Sequence, residues 1–389
     1  MSNFHFSNRT EWSLHNNPLT FALEELRKHD VPIIDLTQSN PTACGFHYPS
    51  AWLGALSDEN NLKYSPQAQG MSLAREGIAD YYRRKGINNV APGRMVLTSS
   101  TSEGYSFLLK LLANPGDHVL IPKPSYPLFQ FLLELHDVRY DFYPLVYNDG
   151  WAIDRECFKS LITPKTKAVI LVNPNNPTGS YLSEGDKAFL NEHCCKHHMA
   201  IISDEVFFDY KLKPEIDPRS LLMAQGPHHE VLSFTLSGVS KILGLPQMKL
   251  SWIVVNGPQA DVSGALERLE IIADTYLSVN TPVQNALGAW LRDCDYIQKQ
   301  ILERVGQNLK FLREGGLKVL DVQGGWYGIV RISSKASEES FILDLLKNHH
   351  VLVHPGYFFD FDYEGHVVVS LLPQYQEFQK GIEKMKFVV

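Results

Sequence analysis

The stretch AVILVNPNNPTG, residues 168–179, joins a short apolar run to a turn rich in Asn, Pro and Gly. An apolar run of this length is typical of a buried strand, and the turn residues end it. Similar runs occur at residues 95–97, 118–122, 200–203, 231–235 and 252–255. Segments of helical periodicity, such as residues 103–113 and 184–197, separate several of these runs. This alternation predicts a doubly wound α/β domain with a mainly parallel sheet.

The pattern changes after about residue 285. A long helix with a polar and an apolar face is predicted over residues 296–313, followed by strands at 325–332 and 367–371. We therefore expect a large domain over residues 46–285 and a smaller α+β domain over residues 286–389. Residues 1–45 are too few for a core of their own, so we expect them to pack on the small domain or on a partner subunit.

The composition excludes several classes of protein. The 389 residues are 44% hydrophobic and 20% charged, close to the averages for soluble globular chains. The net charge of −7 provides no overall attraction to nucleic acid or to an anionic membrane. No apolar run approaches the length of a membrane-spanning helix, the first residues do not resemble a secretory signal, and the five cysteines do not suggest a disulfide framework. We expect a cytoplasmic protein.

Three polar motifs follow neighbouring strands. Asn176 lies in the turn NPNNPTG, Asp204 in SDEV (residues 203–206), and Lys241 ends SGVSK (residues 237–241). Ligands of doubly wound sheets bind at the carboxyl ends of the strands, so we expect these side chains to line one site. The motifs typical of dinucleotide, nucleotide-triphosphate, serine-hydrolase and zinc-peptidase sites do not occur. An amide, a carboxylate and a lysine at neighbouring strand ends indicate a pyridoxal phosphate site.

These motifs, with a basic residue eight positions after Lys241, resemble those of the class I/II aminotransferases, a family of fold type I pyridoxal-phosphate enzymes. Order and spacing agree over most of the chain. The resemblance implies an aminotransferase that moves an amino group from an L-amino acid to a 2-keto acid. It also implies that Lys241 is the Schiff-base lysine and proton shuttle, that Asp204 faces the pyridine nitrogen, and that Asn176 binds the ring hydroxyl.

The resemblance assigns further roles around the cofactor. Tyr126 would stack on its ring, and Tyr64 would reach across from a partner subunit, which implies a homodimer. The phosphate would be held by Ser100, Thr101, Ser240 and Lys249, the first two at the start of a helix. Simpler roles are also open, because Ser100, Thr101 and Asp204 fit helix caps, Asn176 fits a turn and Tyr126 fits loop packing. The run EHCCKHH, residues 192–198, lacks the spacing of a metal site, and we expect no metal.

Four positions depart from the family pattern. Phe207 replaces a tyrosine that contacts the cofactor, Lys249 replaces an arginine, and Gly238 replaces a phosphate-binding serine. Val368 stands where the family places the arginine that binds the substrate carboxylate. We expect Arg331 to replace that arginine if it lies opposite Val368, with the backbone N–H of Ser39 and the Asn176 amide as weaker candidates.

Two alternatives to transamination are open at this point. The first is another reaction on the same cofactor, such as β-elimination, racemisation or cyclisation, because Phe207 and Val368 alter the groups that contact cofactor and substrate. The second is a cofactor-binding regulator without turnover. The short N-terminal region has neither a helix-turn-helix pattern nor a basic patch, which argues against a regulator.

Overall fold

The apolar runs of the sequence form the strands of a central sheet in the computed structural model, which describes residues 5–14, 17–215, 230–332 and 337–388. Within these residues the strands are β1 (Ile34–Asp35), β2 (Met95–Thr98), β3 (His118–Lys123), β4 (Arg139–Tyr147), β5 (Trp151–Ile153), β6 (Thr166–Val172), β7 (Ala200–Asp204), β8 (Ser233–Gly238), β9 (Ser251–Asn256), β10 (Lys318–Val319), β11 (Tyr327–Arg331), β12 (Val351–Leu352), β13 (His354–Pro355) and β14 (His366–Ser370).

Helices connect most of these strands. They are α1 (Pro18–Lys28), α2 (Ala51–Gly54), α3 (Ser72–Arg84), α4 (Thr101–Leu112), α5 (Leu128–Glu134), α6 (Arg155–Leu161), α7 (Glu184–His197), α8 (Val239–Ile242), α9 (Gln259–Tyr276), α10 (Thr281–Arg292), α11 (Asp295–Glu314), α12 (Glu338–His349) and α13 (Tyr375–Lys386). Among the described helices, none is both long and apolar enough to span a membrane.

The large sheet has eight strands in the order β2-β9-β8-β7-β6-β3-β4-β5. The five strands from β8 to β4 are parallel, while β9 and β5 run antiparallel to their neighbours. The predicted mainly parallel sheet is therefore confirmed. Strands β4 and β5 were not predicted, because β4 carries Arg139 and Asp141 among exposed and half-buried positions and lacks an apolar run.

Helices cover both faces of the large sheet. Helices α4 and α9 bury Phe107, Leu108 and Leu269 against one face, and α6 and α7 bury Phe158 and Leu190 against the other. Each such side chain contributes roughly 1.5–3 kcal/mol on burial. The doubly wound architecture is confirmed.

A second, antiparallel sheet of four strands has the order β10-β11-β14-β13. Helix α11 packs against α13, and α12 contacts both α13 and β13. The N-terminal segment joins this part of the molecule, since β1 pairs in parallel with β12 and α1 packs on α12. Residues 1–4 and 15–16 of that segment lie outside the described residues.

The parallel register brings three strand ends together. Val172 at the end of β6 pairs with Asp204 at the end of β7, and Asp204 pairs in turn with Leu236 of β8. The turn after β6, the carboxylate on β7 and the short helix α8 after β8 therefore meet at one edge of the sheet.

Candidate active site

A cavity of about 320 Å³ lies at this edge. Its volume is within the range of roughly 300–1,000 Å³ that is usual for small-molecule sites. Nine predicted site residues line it: Ser39, Ser100, Thr101, Tyr126, Asn176, Asp204, Ser240, Lys241 and Lys249. Sequence positions as far apart as 39 and 249 thus meet in one place.

Asp204 is the buried carboxylate of the cavity. Its Oδ1 accepts a hydrogen bond from the Val206 N–H at 3.1 Å, and its Oδ2 accepts one from the Tyr105 O–H at 3.1 Å. Burial raises the pKa of Asp204 to about 6, while these two hydrogen bonds and the charge of Lys241 act in the opposite direction. The carboxyl group is therefore ionised above about pH 6 and can hold a cation in the cavity.

Tyr105, which was not predicted as a site residue, bonds the Asp204 carboxylate. It lies in α4, is 3% exposed, and its ring packs edge-on against Phe129 at 5.3 Å. Burial raises its pKa well above the ordinary value, so its O–H remains a donor at every working pH. No local pattern marks this residue, because its partner Asp204 is 99 positions away in the chain.

Replacing Tyr105 with phenylalanine should shift the pH dependence of the reaction. Loss of this hydrogen bond raises the pKa of Asp204 further, by about one unit for a bond of roughly 1.5 kcal/mol to a charged group. We expect the acid limb of kcat to move up by about one pH unit. The measurement is kcat from pH 5 to 9. Tyr143→Phe is the control, since Tyr143 bonds the Ile170 carbonyl instead, and an equal shift in both variants would contradict this role.

Lys241 follows β8 in the short helix α8. Its Nζ lies 5.2 Å from the ring centre of Phe207 and 4.9 Å from that of Trp326. Burial lowers the pKa of Lys241 to about 8, with the charge of Asp204 opposing the shift. The Tyr210 O–H donates to the Lys241 carbonyl at 2.5 Å and fixes the backbone of the helix. A lysine with this pKa is partly unprotonated near neutral pH and can act as a nucleophile or base.

Asn176 is held in the turn between β6 and α7. Its Oδ1 is buried and has no hydrogen-bond partner among the described residues, which leaves it available to a ligand. Gly179 in the same turn has a φ of +67°, and a Cβ there would lie 2.4 Å from the Gly324 carbonyl oxygen. The Gly324 N–H donates to the Gly179 carbonyl at 2.8 Å. Only glycine allows this close approach between the turn and the chain that leads to Trp326.

Hydroxyl groups and a lysine surround the N-terminus of α4. The Ser100 Oγ caps the helix by accepting from the Glu103 N–H at 3.1 Å, and Thr101 and Ser102 begin its first turn at the cavity wall. The first N–H groups of a helix have no partners within it and attract anions. With Lys249 nearby, this end of the cavity suits a phosphate group.

Two predicted site residues lie outside the cavity. Tyr64 is 83% exposed on the surface. The expectation that Arg331 lies opposite Val368 is wrong, because Ile329 pairs with Val368, whereas Arg331 pairs with His366. Arg331 is exposed at the far end of its strand, and Val368 belongs to a buried apolar cluster with Ile329.

The four-stranded sheet contributes Tyr327 instead. Tyr327 begins β11 and lines the cavity together with Ser39. Burial raises the pKa of Tyr327 to about 12, with the side chain of Ser39 opposing the shift, so the phenol is neutral at working pH. Ser39 and Tyr327 therefore line the cavity, whereas Arg331 does not.

These groups fit pyridoxal phosphate. The unpartnered oxygen of Asn176 and the carboxylate of Asp204 suit its ring substituents, and Lys241 is free to bond its aldehyde. The helix terminus and Lys249 suit its phosphate.

The model of the family "Aminotransferase class I and II" matches residues 31–380. The chain belongs to this family. It is a pyridoxal-phosphate-dependent aminotransferase, which confirms the activity and cofactor implied by the motifs.

Named relatives agree with this membership. The glutamate-pyruvate aminotransferase AlaA of Haemophilus influenzae is 27% identical over 370 residues, covering 91% of this chain and 89% of its own. The alanine aminotransferase of Mycobacterium tuberculosis is 26% identical over 371 residues, covering 91% and 84%. The solved alanine aminotransferase from Pyrococcus furiosus superimposes with a TM-score of 0.87 at 25% identity, covering 99% of both chains.

Proposed function

We propose that Lys241, Asp204 and Asn176 form the catalytic centre of this aminotransferase. The observation that carries the proposal is their convergence, from three consecutive strand ends of the large sheet, on one cavity. When bound, pyridoxal phosphate supplies an aldehyde carbon for the amino group and a ring that withdraws electrons from the substrate Cα.

Lys241 would hold the cofactor through its Nζ and would also move the proton of the substrate Cα. Its pKa near 8 would let the amine take and return a proton at neutral pH. The rings of Phe207 and Trp326 restrict where that nitrogen can lie. Lys241 is therefore both the attachment point and the general acid and base.

Asp204 and Asn176 control the cofactor ring. The Asp204 carboxylate would stabilise a protonated pyridine nitrogen, because an ionised carboxylate in a buried site stabilises a neighbouring cation. The side chain of Asn176 would bond the ring hydroxyl, and Tyr126 would contact the ring. The phosphate would be held by Ser100, Thr101, Ser240 and Lys249.

The amino donor and keto acceptor that we propose are L-glutamate and pyruvate. The proposal is supported by the names of relatives that match at least nine-tenths of this chain. The backbone N–H of Ser39, the Asn176 amide and the Tyr327 hydroxyl would bind the substrate carboxylate, and the proposal is supported by the presence of all three residues in the cavity wall.

A stoichiometry assay tests this function. Purified protein is incubated with L-glutamate and pyruvate, and alanine, 2-oxoglutarate and ammonia are measured separately. We expect equal amounts of alanine and 2-oxoglutarate and no ammonia. Release of ammonia in step with the keto acid would instead indicate an elimination reaction. Replacing pyruvate by other keto acids in the same assay tests the acceptor.

We further propose a homodimer in which Tyr64 completes the partner's site. The proposal is supported by an exposed apolar surface around Tyr64, which includes Leu62 (91% exposed), Ile271 (70%) and Leu277 (66%). Tyr64 and Leu277 line one groove, and Ile271 lines the groove beside it. Clusters of exposed apolar side chains are typical of protein interfaces.

Subunit mixing should reveal a shared site. The Tyr64→Ala and Lys241→Ala variants are each expected to have little activity. When they are unfolded together and refolded, about half of the dimers are mixed, and each mixed dimer has one site with both residues intact. We expect roughly a quarter of the wild-type activity to return. Tyr363→Ala is the control for general effects of surface truncation, because Tyr363 is exposed and lines neither groove. No return of activity in a dimeric mixture would exclude a role across the interface.

We propose that residues 46–285 form the large domain and residues 286–389 the small domain. The pairing of β1 with β12 supports placing residues 1–45 on the small domain. We propose a cytoplasmic location, which is supported by the average globular composition and by the free state of all five cysteines.

A further inference from the structure

Gly238 and Ser251 face each other across two antiparallel strands at the cavity. Gly238 ends β8, Ser251 begins β9, and the two are paired in register. A Cβ added to Gly238 would lie 2.3 Å from the Ser251 Oγ and 2.9 Å from the Ser251 Cβ. The φ of Gly238 is 177°, which any residue can adopt. Glycine is therefore needed here because the Ser251 side chain occupies the space above it.

The Ser251 side chain is buried in the protein and lines the cavity. Ser251 is 2% exposed, and no hydrogen bond joins its Oγ to another described residue. A hydroxyl that faces a cavity in this way can bond a ligand or water there. Ser251 lines the cavity, and so do Ser240, two residues after Gly238, and Lys249, two residues before Ser251.

We propose that Ser251 donates a hydrogen bond to the phosphate group of the cofactor. The inference rests on the proposed function, which places the phosphate beside Ser240 and Lys249. The sequence predicts the loss of one phosphate-binding hydroxyl at Gly238. The structure assigns that role to Ser251, which faces Gly238 on the neighbouring strand and lines the same cavity.

Cofactor affinity separates this role from general packing. Cofactor-free protein is titrated with pyridoxal phosphate and, separately, with pyridoxal, which has the same aldehyde and ring but no phosphate. The ratio of the two Kd values isolates the contribution of the phosphate site. We expect Ser251→Ala to weaken pyridoxal phosphate binding about tenfold, the effect of one hydrogen bond to a charged group, and to leave pyridoxal binding unchanged.

A reciprocal exchange makes the test sharper. Gly238→Ser alone should weaken pyridoxal phosphate binding, because its side chain would overlap that of Ser251. The double variant Gly238→Ser with Ser251→Gly removes the overlap with the Ser251 side chain and returns a hydroxyl, while the Leu250 carbonyl oxygen stays 3.0 Å from the added Cβ. We therefore expect its Kd to lie closer to that of the wild type than the Kd of Gly238→Ser alone. Ser233→Ala is the matched control. It removes a buried hydroxyl without a partner at the start of β8, the end of the strand away from the cavity.

Three results would contradict the role of Ser251 in phosphate binding. An unchanged Kd ratio for Ser251→Ala, or a double variant weaker than either single variant, would overturn the role of Ser251. Equal weakening of both ligands by Ser251→Ala would also overturn it, since packing alone would explain the loss. If wild-type protein bound pyridoxal as tightly as pyridoxal phosphate, the phosphate site itself, and this inference with it, would be wrong.

Discussion

Replacing Lys241 with alanine should abolish covalent attachment of the cofactor and reduce turnover by at least about 10³-fold. The expected loss reflects the removal of both the nucleophile and the group that moves the Cα proton, since general acid and base catalysis alone contributes roughly 10²–10⁴-fold. The absorbance of the lysine-bound cofactor and the steady-state kcat measure the two functions separately.

Lys249→Ala is the matched control for this variant. Lys249 is the second lysine of the cavity, at the end that suits phosphate. We expect it to weaken cofactor binding while the bound cofactor keeps its lysine-linked absorbance. Transamination by the Lys241→Ala variant at more than a few per cent of the wild-type rate would exclude the role given to Lys241.

Replacing Asp204 with asparagine should lower kcat by about 10²–10³-fold while much of the cofactor stays bound. Asparagine keeps the size of the side chain but removes the charge that stabilises a protonated pyridine, and one preorganised electrostatic partner in a buried site is worth about this factor. The measurement is kcat at saturating cofactor, with bound cofactor determined on the same sample.

Asp209→Asn controls for the loss of any buried carboxylate. The side chain of Asp209 is 4% exposed and contacts Tyr81 and Lys85, but Asp209 does not line the cavity. We expect its replacement to reduce stability and to leave the kcat of the folded protein within about threefold. Comparable losses of kcat in the two variants would mean that Asp204 acts through stability and not through the cofactor.

The sequence predicts the residues whose position is set by a strand end. Asn176, Asp204 and Lys241 each directly follow an apolar run that forms a parallel strand, so knowledge of the sheet type is enough to bring them to one edge. The same reasoning places Ser100 and Thr101, because a capping serine before a periodic segment predicts a helix start.

Residues whose role depends on a contact distant in sequence could not be predicted in this way. Tyr105 contacts Asp204 from inside a helix, and Trp326 contacts Lys241 from the position just before β11. The register between β11 and β14 likewise cannot be predicted from the sequence of either strand. In the observed register Val368 pairs with Ile329, two residues before Arg331. The sequence shows that Gly238 lacks a side chain, but not that Ser251 occupies its space.

The residues proposed to bind the substrate carboxylate carry no positive charge. Val368 and Ile329 are buried in an apolar cluster, and the proposed contacts come from neutral groups of Ser39 and Tyr327. Neutral hydrogen bonds are weaker than charge-assisted ones. We therefore expect this enzyme to bind its amino acid less tightly than a site with a bidentate arginine would.

Reduction of the loaded protein with borohydride tests the central claim most directly, because it makes the bond between lysine and cofactor permanent. After digestion, mass spectrometry of the peptides identifies the modified residue. We expect the reduced pyridoxyl phosphate group on Lys241 in wild-type protein, and we expect no such group in Lys241→Ala. A modified residue elsewhere, such as Lys249, or no covalently attached cofactor in an active preparation, would contradict it.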